Sequence, residues 1–458
     1  MGEYRDNLKM ARDIAEAVEK LSGRAYFVGG YVRDALRGAE NKDIDIEIHG
    51  IAPKELESIL DSLGERISIG ESFGVYALKG YSIDIAMPRK EKVRGKGHKD
   101  FDIIVDPDIG TERAAERRDF TINAMLSDVL TGEIIDHFGG REDLENKILR
   151  HVNDESFPED PLRVLRGAQF AARFGYTLAL GTKEIFKKMD LSHLPKERVE
   201  GELKKALLKS EKPSIFFEVL RETEKLREWF PELQELIGIK QSPRYHKEGN
   251  VWVHTMMVLD AAAKYRDRAE NPLGFMLSAL THDFGKAICT YEENGEIHSK
   301  NHAEKGLPLV KSFITRITNE VKLCEYVINL VQLHMFPNVL AREGASIKAT
   351  NKLFDRALDP EALICLATAD DEGKISDDPN NGEHIFLYER LSVFREYMSR
   401  PYVMGRDLIE AGLSPDEDFS EILSYAHRLR YVGMEKKTAL SQTLAYAKEL
   451  RKGENKNA

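Results

Sequence analysis

The sequence predicts an α+β fold in which a head of mixed strands and short helices precedes a long, all-helical remainder. Three observations carry this. Between about residues 24 and 150, short runs of strand length recur: YFVG, DIDIEIHG, SFGVYALKG, YSIDIAM, DFDIIVDP and GEIIDHF. After about 150 the apolar spacing changes to a helical period and keeps it, with breaks near Pro195, Pro213, Pro231, Pro243 and Pro272. Ahead of the head, Leu8, Ile14, Ala15, Val18 and Leu21 make residues 1–22 an amphipathic leading helix. The closing RKGENKNA reads as a frayed tail.

Composition bounds the function. The chain has 458 residues, 42% hydrophobic and 32% charged, which suits a soluble protein of roughly two to four domains. Cys289, Cys324 and Cys365 lie far apart, with no metal-knuckle spacing. They point to a reducing cytoplasm without a disulfide framework. MGEYRDNLKM lacks the apolar core of a signal peptide, and no run has membrane-spanning length. Net charge is −11. Phosphate binding needs only a local basic surface, and Pro88–Lys99, PRKEKVRGKGHK, supplies one as a solvated loop.

The segment Ala25–Glu47 is the richest in chemistry. An apolar strand stops at Gly29-Gly30 and gives way to a helix-like stretch, Tyr31 to Arg37. A second strand then places Asp43, Asp45 and Glu47 on one face and Ile44, Ile46 and Ile48 on the other. Like charges so close call for a compensating divalent cation, and the glycines let backbone N–H groups approach an anion. In YSIDIA, Asp84 faces the same way as Ser82 and Ala86. It is either a third metal carboxylate or a hydrogen-bonded structural aspartate. Arg117-Arg118-Asp119 opens a further helix, and guanidinium forks match phosphate oxygens. In EDPLRVLR, Asp160 reads as N-cap and Pro161 as the first helical residue, which sets Asp160, Arg163 and Arg166 on one helix face.

GGYVRDALRG, KDIDIE, RRDFTINAM, FGGREDL, EDPLRVLRGAQFAARFG and ERVEGELKKAL occur in that order over residues 24–240. Together they resemble the class II tRNA nucleotidyltransferases, the CCA-adding enzymes and their poly(A) polymerase relatives. The resemblance implies a polymerase-β-like nucleotidyltransferase head, a helical neck, and addition of C, C and A to tRNA 3′ ends from CTP and ATP. Asp43 and Asp45 would hold Mg²⁺ and be catalytic. Gly30, Arg33 and Arg118 would cradle the triphosphate. Asp160 and Arg163 would read the Watson–Crick edge of the incoming base, supported by Arg166. Arg117, Asn123, Glu159 and Arg198 would be helpers. Addition of the terminal A implies a mobile loop between the metal strand and RRDFT, and Pro88–Lys99 reads as one. The ordinary leading helix, in place of an added basic stretch, favours CCA addition over polyadenylation. A-adding, CC-adding and poly(A)-polymerase readings are the alternatives.

Downstream, His254, His282-Asp283, His302, His334 and Asp370 supply imidazole nitrogens and carboxylate oxygens for a divalent metal, with Lys286 placed to face a phosphate. The pattern His254, His282-Asp283 and Asp370 resembles the HD phosphohydrolases. That likeness implies a divalent transition metal of unspecified identity and a phosphatase or 2′,3′-cyclic phosphodiesterase acting on damaged tRNA ends. The expected domains are a head (1–150), a neck for base recognition and RNA binding (151–240), an HD domain (241–375) and a helical tail (376–458). The expected partners are tRNA, CTP and ATP in the cytoplasm, without a membrane and with no oligomeric state set. A metallohydrolase with a non-catalytic RNA-binding head is the competing class, and intact Asp43 and Asp45 speak against it.

Overall fold

The computed structural model describes residues 2–41, 43–70, 74–93, 101–244, 246–375 and 382–454. The chain forms two compact units, one of Met1–Leu194 with Glu222–Lys225 and one of Pro195–Arg221 with Leu226–Ala458. The boundary after Leu194 falls inside the segment expected as a neck.

The first unit is built on a seven-stranded sheet. Its strands, with a separate hairpin between them in sequence, are β1 (Arg24–Val28), β2 (Ile44–His49), β3 (Arg66–Gly70), β4 (Val75–Leu78), β5 (Ile83–Ala86), β6 (Arg89–Val93), β7 (Phe101–Val105), β8 (Leu126–Asp128) and β9 (Ile134–Ile135). The sheet runs β3-β4-β5-β2-β1-β8-β9, so β2 is central. β2 and β5 pair in parallel, with Asp45 level with Asp84, while β1 pairs with β2 antiparallel. One face of β2 and β5, Ile44, Ile46, Ile48, Ile83 and Ile85, packs with Ile14 and Val18 of the helix Gly2–Glu19 and Leu56 and Leu60 of the helix Pro53–Leu63. Each isoleucine is at most 1% exposed, worth roughly 1.5–3 kcal/mol of burial apiece. That packing fixes the register, and a one-residue slip would drive Asp45 into the core.

Some elements differ from expectation among the described residues. Arg89–Val93, expected within a loop, is strand β6, paired antiparallel with β7 from Arg89↔Val105 to Val93↔Phe101. The ladder extends the chain that basic side chains alone would leave solvated, and residues 94–99 of that segment lie outside the described residues. The remainder is helical but carries a hairpin, Tyr291–Glu293 with Glu296–His298. Its turn is Asn294-Gly295, a pair that favours two-residue hairpin loops. The last helix, Lys436–Glu454, runs four residues into the stretch expected to fray, and 455–458 lie outside the described residues. Among the described residues, no helix is long and apolar enough to cross a membrane.

In the second unit the helices Val251–Ala262, Pro272–Thr281, Val321–Leu333 and Pro360–Glu372 bury Val258, Phe275, Leu280, Leu330 and Leu363 at 0% exposure. The first, second and fourth of these have little amphipathic contrast, since apolar residues surround them. They are the inner helices of the unit.

Candidate active sites

In the first unit, the sheet face opposite the isoleucines carries Asp45 and Asp84 side by side. Asp43 stands just ahead of β2, exposed, with its backbone N–H donating to Asn41 Oδ1 at 3.0 Å. Burial and the neighbouring Asp84 push the Asp45 carboxyl up to about 6 against the pull of Arg118. Like charges held together in this way are a donor set for a divalent cation. Above them, Gly29 turns the chain at φ 67°, and a Cβ there would sit 3.0 Å from Arg118 Nη1 and 3.7 Å from Asp45 Oδ2. The absent side chain is what lets the Gly29-Gly30 backbone lie against both groups. Glu47 is engaged elsewhere, by His49 Nε2 at 2.9 Å and by Arg118 at 3.6 Å.

Two of the other nucleotide-binding candidates, Arg33 and Arg166, are joined by one hydrogen-bonded relay. Arg33 is 4% exposed. Its Nε and Nη2 each donate to Asp34 at 2.8 Å, and its Nη1 donates to Asn123 Oδ1 at 2.8 Å. Asn123 Nδ2 donates to Asp119 Oδ1 at 2.9 Å, and Arg166 Nε donates to Asp119 Oδ2 at 2.8 Å. Burial alone would raise the Asp119 carboxyl, but Arg166 and Asn123 hold it below the ordinary carboxylate range. Arg33 also lies over Phe174, with its carbon 4.7 Å from the ring centroid, at the end of the helix Leu162–Phe174 that carries Arg163 and Arg166. Arg163 instead donates to the carbonyls of Ser156 and Arg117, both at 2.7 Å. That helix begins at Leu162, one residue later than the capping pattern predicts, and Asp160 Oδ1 accepts the Leu162 N–H at 3.1 Å. Sequence reasoning missed Asp34 and Asp119, which carry the relay's negative charge. Asp119 stood inside a motif read only for its arginines.

In the second unit His254, His282, Asp283, His302, His334 and Asp370 come together. His254, His282 and Asp370 each offer a ligand atom within 4.8 Å of the others, as do Asp283, His302 and His334. His254 Nε2 stands 3.0 Å from Asp370 Oδ1 and 3.5 Å from Asp283 Oδ2, while Asp283 Oδ1 is 3.2 Å from His302 Nε2. The Nδ1 atoms of His282, His302 and His334 lie 2.8, 2.9 and 2.6 Å from the carbonyls of Ala279, Ser299 and Val331. A carbonyl only accepts, so each Nδ1 carries a proton, and each Nε2 is the atom turned inward for a metal to take. His254 Nε2, His282 Nε2 and Asp283 Oδ2 are buried without an aligned hydrogen bond. Orphaned donors of this chemistry fit a divalent metal. Burial, with His282 and His302 beside it, pushes His334 down to about 3, which keeps the imidazole neutral. Lys286 lines the pocket beside the cluster. Its Nζ lies 2.7 Å from Asp283 Oδ2 and donates to Gln241 Oε1 at 2.7 Å. A pocket of about 390 Å³ opens beside the cluster, lined by His302, His334 and Asp370 and rimmed by Arg342 and Lys374.

Residues 25–150 match the model of the Poly A polymerase head domain, and residues 175–237 that of the probable RNA and SrmB-binding site of polymerase A. The chain is 35% identical over 338 residues to the Multifunctional CCA protein of Actinobacillus pleuropneumoniae serotype 5b (strain L20), covering 72% of this chain and 80% of the relative. It is 33% identical over 397 residues to the Multifunctional CCA protein of Nitrosococcus oceani, covering 85% and 93%. Its fold resembles that of the Thermotoga maritima CCA-adding enzyme solved with tRNA, at a TM-score of 0.63 and 19% identity over 96% of this chain and 95% of that one. With a polymerase head, paired strand aspartates and identity sustained across both units, the chain belongs to the family of the multifunctional CCA proteins.

Proposed function

We propose that this chain adds C, C and A to the 3′ end of tRNA from CTP and ATP. The observation that carries the proposal is the pair Asp45 and Asp84 on parallel strands beneath the Gly29-Gly30 turn, with Arg118 against both the turn and Asp45. Asp43 and Asp45 would hold Mg²⁺, which when bound neutralises the triphosphate and acidifies the attacking 3′-hydroxyl. Arg118 and the Gly30 backbone would orient the triphosphate, with Arg33, buried against Asp34 and Asn123, bracing the cradle from behind. The Arg33–Asn123–Asp119–Arg166 relay ties that cradle to the helix that bears Arg163 and follows Asp160, the base-reading pair. C and A both offer an exocyclic amine to a carboxylate, while U and G do not present it in the same place. A site left with unpaired buried polar groups rejects the wrong base. The finer division into head, neck, HD domain and tail, and a cytoplasmic setting, belong to this reading.

The test is incorporation by purified protein with Mg²⁺ and a tRNA transcript ending at the discriminator base, each NTP supplied singly and then together. The expected product carries C, C and A and stops there. Stopping after two would make the chain a CC-adding enzyme, a lone A on a tRNA already ending in CC an A-adding one, and an open ladder of A a poly(A) polymerase.

A second reading is supported by the orphaned Nε2 atoms of His254 and His282. His254, His282, Asp283 and Asp370 would hold a divalent transition metal and serve a phosphatase or 2′,3′-cyclic phosphodiesterase acting on tRNA ends. Arg342 and Lys374, which pair with Asp371, line the pocket beside the cluster and could turn donors to a phosphate ester.

A further inference from the structure

Glu248 belongs to no motif in the sequence and lies just ahead of the helix Val251–Ala262 that carries His254. Its side chain is 0% exposed. Oε1 stands 2.8 Å from His246 Nδ1 and 3.2 Å from His254 Nδ1, and Oε2 accepts the backbone N–H of Ile375 at 2.9 Å. A buried carboxylate is costly unless its oxygens are satisfied, and here three donors meet one group.

The geometry reaches the candidate metal cluster from behind. An ionised carboxylate only accepts, so His254 Nδ1 carries a proton toward Glu248, which leaves Nε2, the atom that faces Asp283 and Asp370, as the one a bound metal would take. The other three histidines of the cluster turn Nδ1 to backbone carbonyls. His254 reaches a carboxylate as well as a carbonyl, that of Gly373 at 3.2 Å. Gly373 and Ile375 directly follow the helix Pro360–Glu372 that carries Asp370. The Lys247 N–H donates to the Ile375 carbonyl at 2.9 Å, which adds a backbone tie beside the carboxylate. His246, Glu248 and His254 also offer three ligand atoms within 4.8 Å of one another. Both imidazoles already approach one carboxylate oxygen at hydrogen-bond distance, so that group is closed without an ion.

We infer that Glu248 is a positioning residue of the metal cluster: it sets the tautomer and ring orientation of His254 and ties the end of the Asp370 helix to it. The inference rests on the reading of the cluster as a metal site. A carboxylate behind a metal-bound histidine also raises the basicity of the ligand, and its loss costs affinity even where the fold is kept. His246 shares the same carboxylate and lines the pocket, so Glu248 orients a second imidazole at the pocket wall.

The experiment is Co²⁺ binding to the full chain, by competition with a chromophoric chelator and by the visible absorption of the bound ion. Wild type, Glu248→Ala, Glu248→Gln and His254→Ala are compared, with melting curves for each. Glu248→Ala is expected to weaken Co²⁺ binding about 10–100-fold and to alter the absorption band. Glu248→Gln, whose amide oxygen still accepts from Nδ1 although its amide nitrogen meets the Ile375 N–H, is expected to recover part of the loss. Wild-type affinity in Glu248→Ala, or no recovery in Glu248→Gln, overturns the inference. If Glu248→Ala fails to fold, Glu248→Asp, with its shorter reach, is expected to bind more weakly, and wild-type affinity there overturns it equally. Equal affinity in wild type and His254→Ala overturns instead the reading of the cluster as a metal site.

Discussion

Arg163 and Arg166 lie one turn apart on the same helix, yet they spend their guanidinium groups differently. Arg163 donates to two backbone carbonyls, bonds that the edge of a nucleotide base can replace. Arg166 pairs with Asp119, which is 8% exposed and holds Asn123 in turn. Removing Arg166 strands a buried carboxylate, at a cost of about 1–3 kcal/mol, whereas removing Arg163 leaves two uncharged backbone carbonyls. Arg163→Ala is therefore expected to relax the choice of C and A over U and G with little change in melting temperature. Arg166→Ala should lower the melting temperature of the protein. Asp119 is held below the ordinary carboxylate range, so its pairing stabilises the fold at neutral pH and is lost as pH falls through its folded value. The Arg166→Ala deficit should accordingly shrink in acid. Single-NTP incorporation and melting curves at two pH values check both, and unchanged base selectivity in Arg163→Ala would remove it from the reading role. The positions of these arginines were legible from their spacing in EDPLRVLR. Their partners were not, because Asp119 and Ser156 reach them only through the fold.

At the scale of elements, the turn after His282-Asp283 is built around a close approach. A Cβ on Gly285 would overlap the carbonyl oxygen of His302 and come within 3.0 Å of the Gly306 backbone N. Both neighbours are backbone, so neither can swing away as a side chain would. The helix His302–Lys305 sits where it does because residue 285 has no side chain. Its first residue is the imidazole that faces Asp283 at 3.2 Å. Gly285→Ala is thus expected to push His302 off Asp283 and weaken metal binding at least ~10-fold, with nucleotide addition by the other unit retained. Wild-type metal affinity in that variant would contradict the account. The HD pair and the strand aspartates were readable from sequence because their chemistry is local. The hairpin Tyr291–His298 was missed although its Asn-Gly turn signal was present, since the surrounding helical period masked two strands of three residues. Strand β6 was missed because lysine and arginine favour solvent, and only pairing with β7 makes that segment extended.

For the whole molecule, the two candidate centres draw on separate residues in separate compact units. Asp43, Asp45, Asp84 and Arg118 belong to the first, and His254, His282, Asp283 and Asp370 to the second. Their donor sets differ as well. The first is all oxygen and half exposed, which suits a hard, hydrated ion such as Mg²⁺. The second mixes four imidazoles with two carboxylates in a buried pocket, which suits a transition metal. Removing all divalent ions with a chelator should therefore stop both nucleotide addition and phosphodiester hydrolysis. Mg²⁺ alone should then restore addition, while hydrolysis should return only with a transition metal such as Co²⁺ or Ni²⁺. Asp43→Ala should abolish addition and leave hydrolysis of a 2′,3′-cyclic phosphate within about two-fold of wild type. His254→Ala should do the reverse, because no residue is shared between the two donor sets. Parallel assays of both activities on these preparations decide the matter. Restoration of both activities by Mg²⁺, or loss of both from either substitution, would mean that one metal centre serves both reactions.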